Sequence, residues 1–303
     1  MNRFKKILFV HGDHVGSDDA LSRATELAQH NSAHLTILEV VTDATATPSS
    51  LREREKKLAR LRASVQIEGV EVDAIVLTGT PFLEIIRKVL RDAHDLVIMA
   101  ADGPGDIRQM FLGSTSMHLM RKCPCPVWVL KAHRSRRDRK ILAALAWPEG
   151  KPTSNELNVT ILDFATSLAR TENSELHIAH AWDFTGADAD TMRSETTAGI
   201  RDRLFKKNES AHRAWLQELL DDYDLGEIDS HVQLLHGPAE PTLTNFVNEN
   251  EIDLVVMGTL RRTGIPGFLI GSTAEYVLGR VNCSVLTKKP SGFQTPVTLG
   301  AEE

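Results

Sequence analysis

Short apolar runs alternate with longer amphipathic stretches along this chain, and the alternation happens twice. Ile7-Leu8-Phe9-Val10 gives way to the polar His11-Gly12-Asp13-His14, and a helical pattern follows from Asp18 to about His30. Residues 34–41 read as a strand, 50–67 as a charged helix, 70–77 as a strand, 81–93 as a helix and 95–101 as a buried strand. A Gly-rich loop then leads to a helix over 113–122, and Pro126-Val127-Trp128-Val129-Leu130 closes the unit. Buried strands that alternate with amphipathic helices predict βαβ units, hence an α/β fold with a parallel sheet and helices on both faces.

The same order runs again from Lys140-Ile141-Leu142 to Ser284-Val285-Leu286. Gly79 and Gly237, Ala100 and Gly258, Gly113 and Gly271, Ser114 and Ser272, and Cys125 and Cys283 are all separated by 158 positions. Constant spacing over five positions indicates a duplication. The first strands, at Lys6 and Lys140, are separated by only 134, so the second copy is 24 residues longer ahead of its third strand. The surplus is expected in the polar stretch 183–208. The predicted organisation is a first domain over 1–131, a basic linker over 132–138, a second domain over 139–290 and a tail over 291–303. The linker reads as a solvated connector, with an anion or nucleic-acid contact as the alternative.

Charge and composition narrow the function classes. Residues 1–135 hold 18 Lys and Arg against 16 Asp and Glu, and the remainder holds 17 against 25. Neither half has the positive excess of a dedicated nucleic-acid binder, and aromatic residues at 5% offer little for stacking on bases. No apolar run reaches membrane-spanning length, and the N-terminal run is too short for a secretory signal. The three cysteines, Cys123, Cys125 and Cys283, form neither a CxxC motif nor an even-numbered framework. A cytoplasmic protein with buried, structural thiols is the expectation.

Leu254-Val-Val-Met-Gly-Thr259, Arg262-Thr-Gly-Ile265, Gly271-Ser-Thr-Ala-Glu275, Asn282-Cys-Ser-Val285 and the tail beginning Lys289-Pro-Ser-Gly-Phe293 resemble the universal stress protein family, and within it the tandem E-type branch. The resemblance covers nearly the whole chain. It implies two five-stranded parallel sheets in order 3-2-1-4-5, Rossmann-like and similar to the adenine nucleotide alpha hydrolases, with ligand at the carboxyl ends of strands 1 and 4. The switch-point rule for open α/β sheets points independently to the same place. The resemblance also implies that the two fifth strands pair as a pseudo-dimer inside one chain. A homodimer of such chains is compatible with the sequence.

The family's nucleotide-binding pattern is Gly, two residues, Gly, nine residues, then Gly-Ser or Gly-Thr. Glycines there let the backbone approach ribose and phosphate, and the last pair opens a helix whose N–H groups attract anions. In copy one the pattern falls on Ala100, Gly103, Gly113 and Ser114 with Thr115. In copy two it falls on Gly258, Arg261, Gly271 and Ser272 with Thr273. ATP-binding members also carry an aspartate after strand 1. Gly12 with Asp13 stands there in copy one, and Ala146 in copy two. Ser272-Thr-Ala-Glu275 reads as a capping box that holds its helix without a ligand, whereas the helix at Gly113 has no such Glu. Arg261 and Arg262 read either as phosphate clamps or as solvent-facing side chains.

The expected function is therefore a non-enzymatic, ligand-sensing stress-response protein. Its candidate ligand is ATP, another adenine nucleotide, or a small phosphorylated or partly apolar molecule, with copy one the favoured cleft and no metal or catalytic residue assigned. Two alternatives stand beside it. One is a nucleotide-processing enzyme, a slow ATPase or a nucleotidyl transferase using His11 and His14. The other is a ligand-free interaction module.

Overall fold

The computed structural model describes residues 4–13, 16–101, 113–131, 139–148, 152–193, 197–259 and 271–299. In chain order the first copy contains β1 (Lys6–Val10), α1 (Ser17–Asn31), β2 (His34–Val41), α2 (Pro48–Ile67), β3 (Val72–Thr78), α3 (Pro81–Asp92), β4 (Leu96–Ala100), α4 (Ser114–Lys122) and β5 (Val127–Leu130). The second contains β6 (Lys140–Leu145), α5 (Pro152–Glu172), β7 (Glu175–Trp182), α6 (Gly186–Arg193), α7 (Ala198–Leu220), β8 (Ser230–His236), α8 (Ala239–Glu249), β9 (Leu254–Gly258), α9 (Ser272–Leu278) and β10 (Ser284–Lys288).

The chain packs as two compact units, one of Met1–Arg137 with Thr259–Glu303 and one of Asp138–Gly258. In the first unit the strand order is β3-β2-β1-β4-β5-β10. The first five strands are parallel neighbours, which is the predicted 3-2-1-4-5 order. In the second unit the order β9-β6-β7-β8 is that of the corresponding four strands, again parallel. The fifth strand of the second copy, β10, joins the first unit and runs antiparallel to β5, with Val285 opposite Val129 and Thr287 opposite Val127. The expected pairing of the two fifth strands is thus present, and it covers what would otherwise be an open edge of apolar residues. Val127, Trp128, Val129, Val285 and Leu286 are all buried there.

Central strands are apolar on both faces because helices cover both. Ile7, Leu8, Phe9, Leu96, Val97, Ile98, Ile141, Leu142 and Ala143 are fully buried. The outer strands β3 and β8 are half-exposed along most of their length. Each ends at a glycine with φ near +133°, Gly79 and Gly237, whose N–H groups donate to Val41 O and Trp182 O. That φ excludes ordinary side chains, so these two glycines serve the backbone.

The extra length of the second copy is distributed differently from expectation. The offset between copies is 134 at the first strand, 141 at the second and 158 at the third. Seven of the additional residues therefore precede β7, where α5 has 21 residues against 15 in α1, and the other seventeen lie between β7 and β8. The stretch 183–208 accounts for the larger share only. Polarity marked the second insertion, while the first extends an amphipathic helix and leaves no compositional trace.

Candidate functional site

In the first unit β1 lies between β2 and β4, so the chain leaves the carboxyl ends of β1 and β4 toward opposite sides of the sheet. That divergence opens the crevice in which α/β sheets take ligands. His11, Gly12 and Asp13 follow β1 directly. His11 is buried, donates its backbone N–H to Leu38 O at 2.8 Å, and brings Nδ1 within 3.1 Å of Ser17 Oγ at the start of α1. The Gly12 N–H points to the same hydroxyl at 3.4 Å. His11 thus has a positional role, fastening the β1 exit to α1. His14, its proposed catalytic partner, lies outside the described residues.

On the other side of the crevice Ala100 ends β4, buried, and α4 begins after Gly113. Gly113 is the N-cap, with φ −64° and ψ 170°, and no side chain caps the helix there among the described residues. The Ser116 hydroxyl turns back to donate to Gly113 O at 2.8 Å. The first turn, Ser114 and Thr115 included, carries no acidic residue, and the last turn carries Arg121 and Lys122. The N–H groups and the helix dipole together make the start of α4 attractive to an anion. Gly103 lies outside the described residues, as do Arg261, Arg262 and the linker 132–138.

Beside Asp13 stands an ionic group that the sequence pattern did not single out. Glu39 on β2 is buried, and Arg54 on α2 binds its carboxylate. Arg54 also reaches Asp13 Oδ2 at 3.2 Å, and Lys57, one turn further along α2, binds the other Asp13 oxygen. The hydrogen bond from Lys57, with the charge of Arg54 added, holds the Asp13 carboxyl below its ordinary pKa despite partial burial.

The second unit fills the equivalent four positions with rings. By the strand offsets Asp13 corresponds to Trp147 and Glu39 to His180, and the offset of 158 at β3 and β8 matches Arg54 to His212 and Lys57 to Trp215. The contacts correspond as well. His180 Nε2 and His212 Nδ1 are 3.0 Å apart, where Glu39 meets Arg54. Trp147 packs on His212 at 4.3 Å and on Trp215 at 5.4 Å, where Asp13 meets Arg54 and Lys57. His180 Nδ1 faces Leu145 O at 3.1 Å, so the ring tautomer that donates there leaves Nε2 to accept from His212. Trp182, Phe184, Phe205 and His236 continue the cluster. Three of the chain's four tryptophans are in this group. Subtracting one repeat from the other exposes the exchange in sequence, but only after the three offsets are known.

The remaining residues of the copy-two pattern have structural employment. At Gly258 an added Cβ would fall 2.7 Å from Leu157 Cδ2, so the missing side chain serves the packing of α5 on β9. Ala146 is held by Asn158, which donates to Ala146 O at 2.7 Å and accepts from its N–H at 3.1 Å. Gly271 is the N-cap of α9 and donates to Thr259 O at 2.7 Å. Ser272 and Thr273 open the helix, which has seven residues against nine in α4. The capping box expected at Ser272 and Glu275 does not form. The helix starts one residue earlier than the box requires, with Gly271 at the cap position, and the Glu275 carboxylate binds Arg121 instead.

Among the described residues, no group of three or more His, Cys, Asp or Glu is arranged to hold a metal ion, and no helix is long and apolar enough to cross a membrane.

Comparison with known proteins agrees with this architecture. Residues 3–131 and 149–289 each match the Universal stress protein family. Universal stress protein E of Escherichia coli strain K12 is 30% identical over 237 residues, which cover 78% of this chain and 73% of that protein. The protein of the same name from Photorhabdus laumondii aligns over the full length of both chains at 22% identity. Among solved structures, a putative universal stress protein from Pseudomonas aeruginosa UCBPP-PA14 superposes with a TM-score of 0.77 at 23% identity, covering 96% of this chain and 95% of its own. One from Archaeoglobus fulgidus reaches 0.61 at 17% identity, covering 94% and 98%. With the family matched once in each repeat, the chain belongs to the universal stress protein family and is of its tandem type.

Proposed function

We propose that this chain is a non-enzymatic, ligand-sensing stress-response protein of the cytoplasm. In this reading an adenine nucleotide, or another small phosphorylated molecule, binds in the crevice of the first copy. The observation that carries the reading is the start of α4: an N-terminus with no side-chain cap and no acid in its first turn, following a strand at the switch point of the sheet. The second copy offers less to a phosphate. Its α9 is shorter and has Glu275 in the first turn, and Trp147 stands with the paired rings of His180 and His212 where copy one has Asp13 and its cations.

Asp13, Arg54 and Lys57 add a consequence of their own. Asp13 is engaged by two cations, so a ligand that takes up Asp13 must separate those ion pairs, while a phosphate can share Arg54 and Lys57 with it. A ligand with both anionic and hydroxyl groups matches this set. Native mass spectrometry of protein purified at low salt tests the reading. One adenine nucleotide retained per chain, recovered unhydrolysed after prolonged incubation, is the expected result. Phosphate release that depends on His11 would replace the non-enzymatic reading with the ATPase alternative, and absence of any nucleotide binding would remove it.

A further inference from the structure

Sequence spacing assigned the three cysteines a buried, structural role, and the structure separates them into two unlike settings. Cys125 and Cys283 are equivalent in the duplication, and so are Lys131 and Lys289, again 158 apart. Both lysines are buried, 8% and 2% exposed, and each bears on the cysteine of the other repeat. Lys131 meets a single thiol, Cys283, and its ammonium donates to the Asn282 side chain. At the equivalent of Asn282 the first repeat has Pro124, which accepts nothing from a side chain, and a further cysteine stands before it. Two thiols, Cys123 and Cys125, therefore act electrostatically on Lys289, and their sulfurs are 3.5 Å apart. The Lys289 Nζ also lies 5.1 Å from the Phe293 ring.

We propose that Cys123 and Cys125 form a peroxide-oxidisable dithiol that closes to an intramolecular disulfide, with Lys289 as the cation that supports the reacting thiolate. The proposal is independent of ligand binding. Burial raises the Cys123 thiol, but the hydrogen bond from Cys125 and the ammonium of Lys289 outweigh it and bring Cys123 below its ordinary value. Burial in turn pushes Lys289 down to about 8. Cys123 is fully covered and Cys125, with 9% of the whole residue exposed, is nearly so. This cover shields the pair from bulky disulfides, so the proposal takes an oxidant as small as hydrogen peroxide. None of the three cysteines is in a disulfide in the structure.

The chemistry balances with hydrogen peroxide as oxidant. The Cys123 thiolate attacks one peroxide oxygen, an S–O bond forms, the O–O bond breaks, and the departing hydroxide takes a proton to leave as water. The Cys125 sulfur then attacks the resulting sulfenic acid, the S–S bond forms, and the S–O bond breaks as a second water leaves. Two thiols are oxidised by two electrons and one peroxide is reduced.

The test is exposure of the reduced full chain to hydrogen peroxide, followed by alkylation under denaturing conditions and peptide mapping by mass spectrometry. The expected product has Cys283 alkylated and Cys123 joined to Cys125. Cys125→Ser should stop at a sulfenic acid on Cys123 that dimedone traps. Lys289→Met should slow disulfide formation about tenfold, because the reacting thiolate loses the cation that favours it. Three alkylatable thiols after a treatment that fully oxidises free dithiothreitol would overturn the proposal. Oxidation of Cys283 as fast as the pair would overturn it too, and an unchanged rate in folded Lys289→Met would remove the lysine from it.

Discussion

At one place in the duplicated fold the first copy buries a carboxylate and the second buries an imidazole. Glu39 meets Arg54, and His180 meets His212. Around them Asp13 and Lys57 have become Trp147 and Trp215, with the contacts between the four positions preserved. The difference separates two ways of closing the carboxyl end of a parallel sheet. Rings close it by filling space, at the gain of apolar burial. Charges close it by pairing, with a desolvation cost that leaves little net stability but leaves groups able to exchange partners. On this comparison the aromatic copy is the more firmly packed at this point, and the ionic copy is the one whose groups can exchange partners.

Removing the largest ring should show the first half of that contrast. Trp182 is 3% exposed and packs on Phe184, Phe205, His212 and His236. Trp182→Ala is expected to cost about 3–5 kcal/mol in denaturant unfolding. Val41 occupies the same place on β2, and Val41→Ala should cost only about 1.5 kcal/mol, two buried methylene equivalents. Equal losses would mean that the rings of the second copy are not its packing centre.

The ionic copy should instead respond to unbalancing. Arg54→Leu leaves Glu39 buried without its cation and should cost about 1–3 kcal/mol, discounted from a fully buried pair because Arg54 is about one-third exposed. Adding Glu39→Leu should restore most of the loss, since a carboxylate and its partner then leave together. A double variant as unstable as the single one would show that Glu39 is held by something other than Arg54.

The smallest effect is in the pH dependence. Lys57 and Arg54 depress the Asp13 pKa, so Asp13 binds fewer protons folded than unfolded near its ordinary value of 3.8. Its stabilising contribution is present above that value and disappears as pH falls through the depressed folded value. The stability difference between the wild type and Asp13→Asn should therefore shrink on acidification from about pH 5 to about pH 3. It should stay under about 1 kcal/mol for so exposed a side chain.

The repeat and the parallel strand order were legible in the sequence because each rests on local periodicity or on constant spacing. The pairing of β5 with β10 was expected for another reason, as an implication of the family resemblance. The quartets were not. Glu39 and Arg54 are fifteen positions apart on different elements, and nothing local distinguishes a buried carboxylate from the many exposed ones. Gly258 misled in the opposite direction: a glycine at the end of a strand reads as room for a ligand, while here Leu157 occupies the room. The supposed capping box failed on a shift of one residue, which sequence spacing does not resolve.

The central claim is that the start of α4, and not that of α9, accepts the phosphate of a nucleotide. Calorimetric titration of the full chain with ATP tests it with a carboxylate placed in either first turn. Ser114→Glu should weaken binding at least about tenfold, near 1.4 kcal/mol, by opposing the helix N-terminus, and Ser272→Glu should leave it unchanged. Binding that survives Ser114→Glu and is lost in Ser272→Glu would contradict the account and move the ligand to the second copy.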